Sequence, residues 1–193
     1  MWLRTSTAFS PQSTAITIIT AMKHTLQFLF LAFVVMLSSC TSTYTTTYYI
    51  VRHAEKADST RDTQLSAEGH ARAEALRDIL MSENITKIFV TNYQRTQQTA
   101  EPLATSLGIT STEVFANQTA ELVQQLKAIN GGNILIVGHS NTVPVIINEL
   151  MENPQNVLIT EKDFNDLFKV KIIKNGSEAV REFTQLTYGV PTR

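Results

Sequence analysis

The chain has 193 residues, 43% of them hydrophobic, with 16 Lys and Arg against 17 Asp and Glu. That length suits one domain with a packed core, and 17% charged residues with 7 Gly and 5 Pro exclude a disordered polyelectrolyte or a collagen-like fibre. A net charge of -1 and a single Cys offer no cationic surface for nucleic acid, no internal disulfide and no zinc cluster.

The first predicted element is an apolar run at 26–37 (LQFLFLAFVVML), interrupted only by Gln27. A bilayer span needs about 20 residues. The run instead has the length of a secretory signal core, about 7 to 15 residues, with Met22, Lys23 and His24 as its start and positive flank. It ends in Leu37-Ser38-Ser39-Cys40, which resembles bacterial lipoprotein signals. That resemblance implies lipidation of Cys40, the only cysteine, as the first mature residue. Residues 1–21, rich in Ser and Thr, are then expected to be an extension from a mis-assigned start, 22–39 the signal peptide, 40–46 a short Thr/Ser tether and 47–193 the domain. Without Arg4 and Lys23 the mature chain carries 14 basic against 17 acidic residues, a net of -3. The expected location is the bacterial cell envelope, lipid-anchored to a membrane and facing the periplasm.

Beyond residue 46, short β-branched runs alternate with longer amphipathic ones, the pattern of a mostly parallel α/β sheet. Strands are predicted at 47–52, 87–91, 111–115 and 133–137, and helices at 67–81, 96–107, 119–129 and 143–151. Ser66 is the expected N-cap of the first helix, with Glu68 in its first turn. Segments 167–173 and 181–186 flank Asn175-Gly176 and read as a hairpin. The expected fold is therefore three-layered: a mostly parallel sheet, helices on both faces and an antiparallel carboxyl-terminal edge.

Chemistry concentrates at strand ends. His53 ends the strand TYYIVR, and His139 follows the strand NILIV by one glycine. Ligands in open α/β sheets bind outside the carboxyl ends of strands, so both imidazoles are expected in one crevice. Arg52 stands beside His53, and the strand KIFVT runs into Asn92-Tyr93-Gln94-Arg95. Two guanidinium groups and two imidazoles suit a compact dianion such as phosphate. His70 lacks such company and reads as a surface residue, while Asp163 and Asp166 read as the solvated face of the segment entering the hairpin. Lys56 reads as a solvated charge or a substrate contact.

Four motifs in order, Arg52-His53-Ala54-Glu55-Lys56, Leu65-Ser66-Ala67-Glu68-Gly69, Arg95-Thr96-Gln97-Gln98-Thr99-Ala100 and Gly138-His139-Ser140-Asn141-Thr142, resemble those of the histidine phosphatase superfamily. The resemblance runs from about Tyr48 to Leu150. It implies the phosphoglycerate mutase-like fold in its small single-domain branch, with no cofactor. It also implies that His53 is the nucleophile, forming a phosphohistidine that water hydrolyses. Arg52, Arg95 and His139 would bind the phosphoryl oxygens, and Ser140 and Asn141 would stand at a helix start whose backbone amides suit an anion.

The family usually supplies a carboxylic acid for the leaving group between the third strand and the next helix, where this chain has Ala116-Asn117-Gln118. Glu113 and Glu121 are the nearest carboxylates there. Glu121 falls inside a predicted helix, and Glu55 is assigned the role. A poorly placed acid would favour aryl phosphates or phosphoramidates over alkyl phosphates.

The expected activity is metal-independent hydrolysis of a small phosphorylated substrate or a phosphoprotein. Three alternatives stand beside it. One is a catalytically weak or inactive lipoprotein that binds a phosphorylated ligand. Another is a mutase-type phosphotransferase, which would need cap segments not evident here. The third is a metal hydrolase using two His and a Glu, opposed by the absence of His-Glu-x-x-His spacing and by two arginines that would repel a cation.

Overall fold

The computed structural model describes residues 22–25, 27 and 42–192. Residues 1–21, most of the apolar run and Cys40 lie outside the described residues, as does the expected lipid attachment. Residues 22–25 and 27 are helical and belong to a separate unit, Met1–Thr41. Among the described residues no helix is long and apolar enough to cross a membrane.

The unit Ser42–Arg193 runs β1 (Thr43–Arg52), α1 (Ala67–Leu80), β2 (Ile85–Thr91), α2 (Gln94–Leu107), β3 (Thr112–Val114), α3 (Thr119–Lys127), β4 (Gly132–Gly138), α4 (Val143–Met151), β5 (Asp166–Asn175) and β6 (Glu178–Thr187). The strand order is β3-β2-β4-β1-β5-β6. The first four strands of that order are parallel, and β5 and β6 are antiparallel. The sequence-derived fold class is therefore correct. The hairpin closes through Gly176-Ser177, since Asn175 pairs with Glu178, and Gly176 takes the φ of +61° that favours glycine.

One boundary is corrected. The expected tether at 40–46 is strand from Thr43 onward, paired residue by residue with β5 from Thr43↔Asn175 to Thr46↔Ile172. A threonine run is low in complexity but rich in β-branched side chains, which favour the extended backbone. Thr46 is also anchored, its hydroxyl accepting from the Gly131 N–H at 2.8 Å.

The period-two alternation of β1 divides the core between the sheet's faces. Tyr48 and Ile50, with Ile134, Ile136, Phe168 and Val170, pack beneath α3 and α4 through Leu122, Leu126, Ile146 and Ile147. Tyr49 and Val51, with Ile88, Val90, Leu135 and Val137, pack beneath α1 and α2 through Leu76, Leu80 and Leu103. Ser66 caps α1 as its sequence indicates, its Oγ accepting from the Gly69 N–H at 3.1 Å. Buried on both faces, β1 is a rigid mount for the residues at its carboxyl end.

Candidate active site

Arg52 pairs with Gly138 in the last register position of β1 and β4, and the ladder continues one step as His53 N–H donates to the Gly138 carbonyl at 2.9 Å. His139 follows directly on β4. The two rings therefore meet, with centroids 5.4 Å apart in an edge-on arrangement. Both are nearly enclosed, at 4% and 9% exposure. Arg95 arrives differently from expectation: α2 begins at Gln94, two residues before the predicted start, so Arg95 sits in its first turn rather than in a loop. Thr99, one turn further on, donates to the Arg95 carbonyl at 2.6 Å and accepts from the Ala54 N–H at 2.9 Å. That hydroxyl ties the arginine's turn to the residue after His53.

Hydrogen-bond logic assigns the protons. His53 Nδ1 lies 2.8 Å from the Ala54 carbonyl oxygen. A carbonyl only accepts, so Nδ1 carries the hydrogen and the lone pair stays on Nε2. Burial pushes the His53 pKa down to about 3, reinforced by His139, Arg52 and Arg95 and opposed by the Ala54 contact. The ring is neutral across the physiological range.

The second imidazole is oriented by a relay. The Thr96 hydroxyl donates to the carbonyls of Thr91 and Tyr93, each at 2.8 Å. With that hydrogen committed, the Thr91 hydroxyl donates to Thr96 Oγ1 at 2.9 Å. Thr91 can then only accept from His139 Nε2, 2.9 Å away. Neutral His139 therefore holds its hydrogen on Nε2 and leaves Nδ1 open. Burial, then Arg95 and Arg52, lower its pKa to about 4. A bound dianion supplies the opposite charge and favours protonation of Nδ1, which turns it into a donor.

Each arginine stacks on an aromatic ring. The Arg52 guanidinium lies 4.3 Å from the centroid of Phe164, and that of Arg95 lies 4.2 Å from Tyr93. Arg52 Nη1 donates to the Thr160 carbonyl at 2.6 Å and Nη2 to Glu161 at 2.9 Å. Arg95 Nη1 donates to the Arg61 carbonyl at 2.8 Å, and burial lowers its pKa. On both groups the Nε–H is buried without a partner. Buried unpaired donors are rare, and two on the cations flanking a histidine pair are what an anion with several oxygens would satisfy.

The structure brings together Arg52, His53, Arg95 and His139. It does not support Glu55 as the proton donor: both carboxylate oxygens accept from the Arg72 guanidinium at 2.6 to 2.9 Å. Arg72 is a buried residue of α1 with a second bond to the Tyr188 carbonyl. Glu55 is thus a structural anion, whose backbone also packs so tightly on Gly69 that an added Cβ would clash with the Glu55 carbonyl oxygen. Asn141 is exposed on the turn that carries His139.

Sequence reading missed Thr91, Thr96 and Thr99, although the helical spacing of Thr96 and Thr99 beside Arg95 marks one inward face. Asp163 and Asp166, expected on a solvated face, are half-buried, and the residues beside Asp163 reach the site. Phe164 lies 6.1 Å from the His53 ring, and Thr160 and Glu161 grip Arg52. No local motif announces those contacts, because they join residues more than a hundred positions apart.

Residues 48–114 match the family profile described as Histidine phosphatase superfamily (branch 1). A search of curated proteins finds no match. Among solved structures the chain is similar to a mycobacterial protein described as hydrolase 2, with a TM-score of 0.63 and 13% identity over 76% of this chain and 93% of that one. It is similar to the protein histidine phosphatase SixA complexed with tungstate, with a TM-score of 0.55 and 18% identity over 73% and 96%. It is also similar to a phosphoserine phosphatase mutant from Entamoeba histolytica in complex with phosphoserine, with a TM-score of 0.52 and 13% identity over 72% and 96%. The chain thus has the fold of the histidine phosphatase superfamily, and the segment that carries Arg52, His53 and Arg95 matches that superfamily's sequence profile.

Proposed function

We propose that the domain hydrolyses phosphomonoesters or phosphoramidates through a phosphohistidine on His53. The observation that carries this reading is the Ala54 carbonyl on Nδ1, which leaves Nε2 unprotonated beside two cations. A neutral imidazole nitrogen is the competent nucleophile. In the reaction Nε2 forms a bond to phosphorus as the bond to the leaving group breaks, and water later displaces the phosphoryl group from Nε2. Arg52, Arg95 and a protonated His139 stabilise charge spread over the equatorial oxygens, the dominant contribution in phosphoryl transfer. The Nε–H groups of both arginines are buried without a partner, so neither is committed elsewhere. A protein that only bound phosphate would have no need of the free Nε2.

Nothing in this chemistry requires a metal, and two guanidinium groups beside the histidines oppose one. The substrate class taken with this reading is a small phosphorylated molecule or a phosphoprotein; half-buried Phe164 and Tyr93 stack on Arg52 and Arg95. The test is turnover of an aryl phosphate by the domain in the presence of chelator. Turnover abolished by His53→Ala is the expected result; strict metal dependence, or unimpaired turnover in that variant, would contradict the reading.

We also infer lipid attachment at Cys40, supported by the sequence Leu37-Ser38-Ser39-Cys40 behind an apolar run, with the domain held at the cell envelope. Membrane-fraction recovery of the full chain, lost in Cys40→Ala, is expected; identical partitioning of the two would count against it.

A further inference from the structure

With Glu55 committed to Arg72, the leaving group needs another proton source. Resting on the phosphohistidine reading above, we propose that Glu161 is the catalytic carboxyl that protonates the leaving group and later activates water.

Glu161 bridges two parts of the site: Oε2 accepts from Arg52 Nη2 at 2.9 Å, and Oε1 accepts from the Ser140 hydroxyl at 3.2 Å. Ser140 is the residue directly after His139. Three other carboxylates near the motif segments hold partners outside the histidine pair. Asp62 binds the Gln94 N–H at 2.8 Å, Asp163 binds the Thr160 N–H at 2.7 Å, and Glu113 binds Gln97 at 2.6 Å. Glu161 is held in place by its own turn, in which Asp163 accepts from Thr160 and the Lys162 N–H donates to Thr160 Oγ1 at 3.3 Å. Its side chain is 79% exposed, whereas that of Arg52 is 4% exposed. The carboxyl therefore stands at the solvent side of the buried cation, where a leaving group departs and water enters.

The electrostatics suit a proton that arrives with the substrate. The groups facing Glu161 are Arg52 from β1, Ser140 from the turn after β4 and Lys56 from the loop after β1; Arg52, the largest influence, holds its carboxyl below the usual range, with smaller help from Ser140 and Lys56. The free site thus holds a carboxylate. A phosphoryl dianion on Arg52 would place like charge beside it, which favours protonation, as when two carboxylates share a site and one proton. A substrate monoanion brings that proton, so it is shared between the phosphoryl group and Glu161.

The balanced sequence is then as follows. His53 Nε2 donates its lone pair to phosphorus, the bond from phosphorus to the leaving oxygen breaks with its electron pair moving to that oxygen, and the Glu161 carboxyl gives the oxygen its proton. Glu161, now a carboxylate, takes a proton from water as the water oxygen bonds to phosphorus. The phosphorus to Nε2 bond breaks, its electron pair returns to Nε2, and inorganic phosphate leaves with Glu161 protonated again. General acid help of this kind is worth about 10² to 10⁴ in rate, and it matters most where the leaving group is basic.

The experiment compares wild type, Glu161→Gln and Glu161→Asp in kcat/KM for 2,4-dinitrophenyl phosphate, which needs no acid, and for an alkyl phosphate, which does. Glu161→Gln is expected to lower the ratio of alkyl-ester to dinitrophenyl-ester kcat/KM by about 100-fold or more. Glu161→Asp should recover part of the alkyl activity. An equal loss on both esters with raised KM would assign Glu161 only a hold on Arg52, and an equal gain in affinity for both would make it a competing anion; either overturns the proposal, as does no change. Absence of turnover in wild type on both esters would overturn the phosphohistidine reading itself and the proposal with it.

Discussion

The Nδ1 atom of His53 lies 2.8 Å from the carbonyl oxygen of Ala54, its own chain neighbour, so the backbone fixes which ring nitrogen keeps its lone pair. Burial and the surrounding cations then displace the pKa of His53 to about 3 and that of His139 to about 4. Because kcat/KM reports ionisations of the free enzyme, the nucleophile is expected to stay active well below the ordinary imidazole pKa of about 6.5. For an aryl phosphate, kcat/KM corrected for substrate ionisation should show no loss between pH 7 and 5. A tenfold loss per pH unit below 6.5 would contradict the assignment.

The same displacement sets the direction of acid unfolding. The unfolded chain protonates both imidazoles as pH falls through about 6.5, whereas the folded chain resists until about 4 and 3. Stability present above pH 6.5 is therefore lost as pH falls through that window, so far-UV circular dichroism should accompany the rate measurements.

The relay through Thr96, Thr91 and His139 gives a second expectation. Thr91 is buried, and Val is close to it in shape, so Thr91→Val keeps the packing while stranding the His139 Nε2–H. A lost hydrogen bond of this kind costs about 1 kcal/mol, and kcat/KM should fall about fivefold, with Thr91→Ser restoring it. Unchanged kinetics in Thr91→Val would show that the relay does not orient the ring.

The division between legible and hidden features has a physical basis. Strand ends carry their side chains to a known place, so His53, Arg52 and His139 could be brought together from the pattern alone. Arg95 comes close to the histidine pair although α2 starts two residues earlier than the sequence predicts, because either backbone leaves it just past β2. The acid role expected of Glu55 rests on its nearness in sequence to His53, which says nothing of Arg72, the buried charge on α1 that holds its carboxylate. Glu161 was hidden for the converse reason: an exposed acidic residue in a loop has no periodic context, and its partner Arg52 lies on another element.

The Glu55 and Arg72 pair supplies a third expectation. Arg72 is 4% exposed and Glu55 18%, so removing one partner strands a mostly buried charge. Glu55→Ala should lower unfolding stability by about 3 kcal/mol, measured by denaturant titration, while the ratio of aryl to alkyl phosphate turnover stays as in wild type. A selective loss on alkyl phosphates with stability intact would return the acid role to Glu55.

The central claim is that His53 Nε2 takes the phosphoryl group onto itself. The direct measurement is brief exposure to a labelled phosphoryl donor, rapid quench and localisation of the label. Acid-labile, base-stable label on the peptide containing His53, absent in His53→Ala, is the expected result. Turnover with no label trapped under conditions where hydrolysis of the intermediate is slowed, or label on another residue, would contradict it.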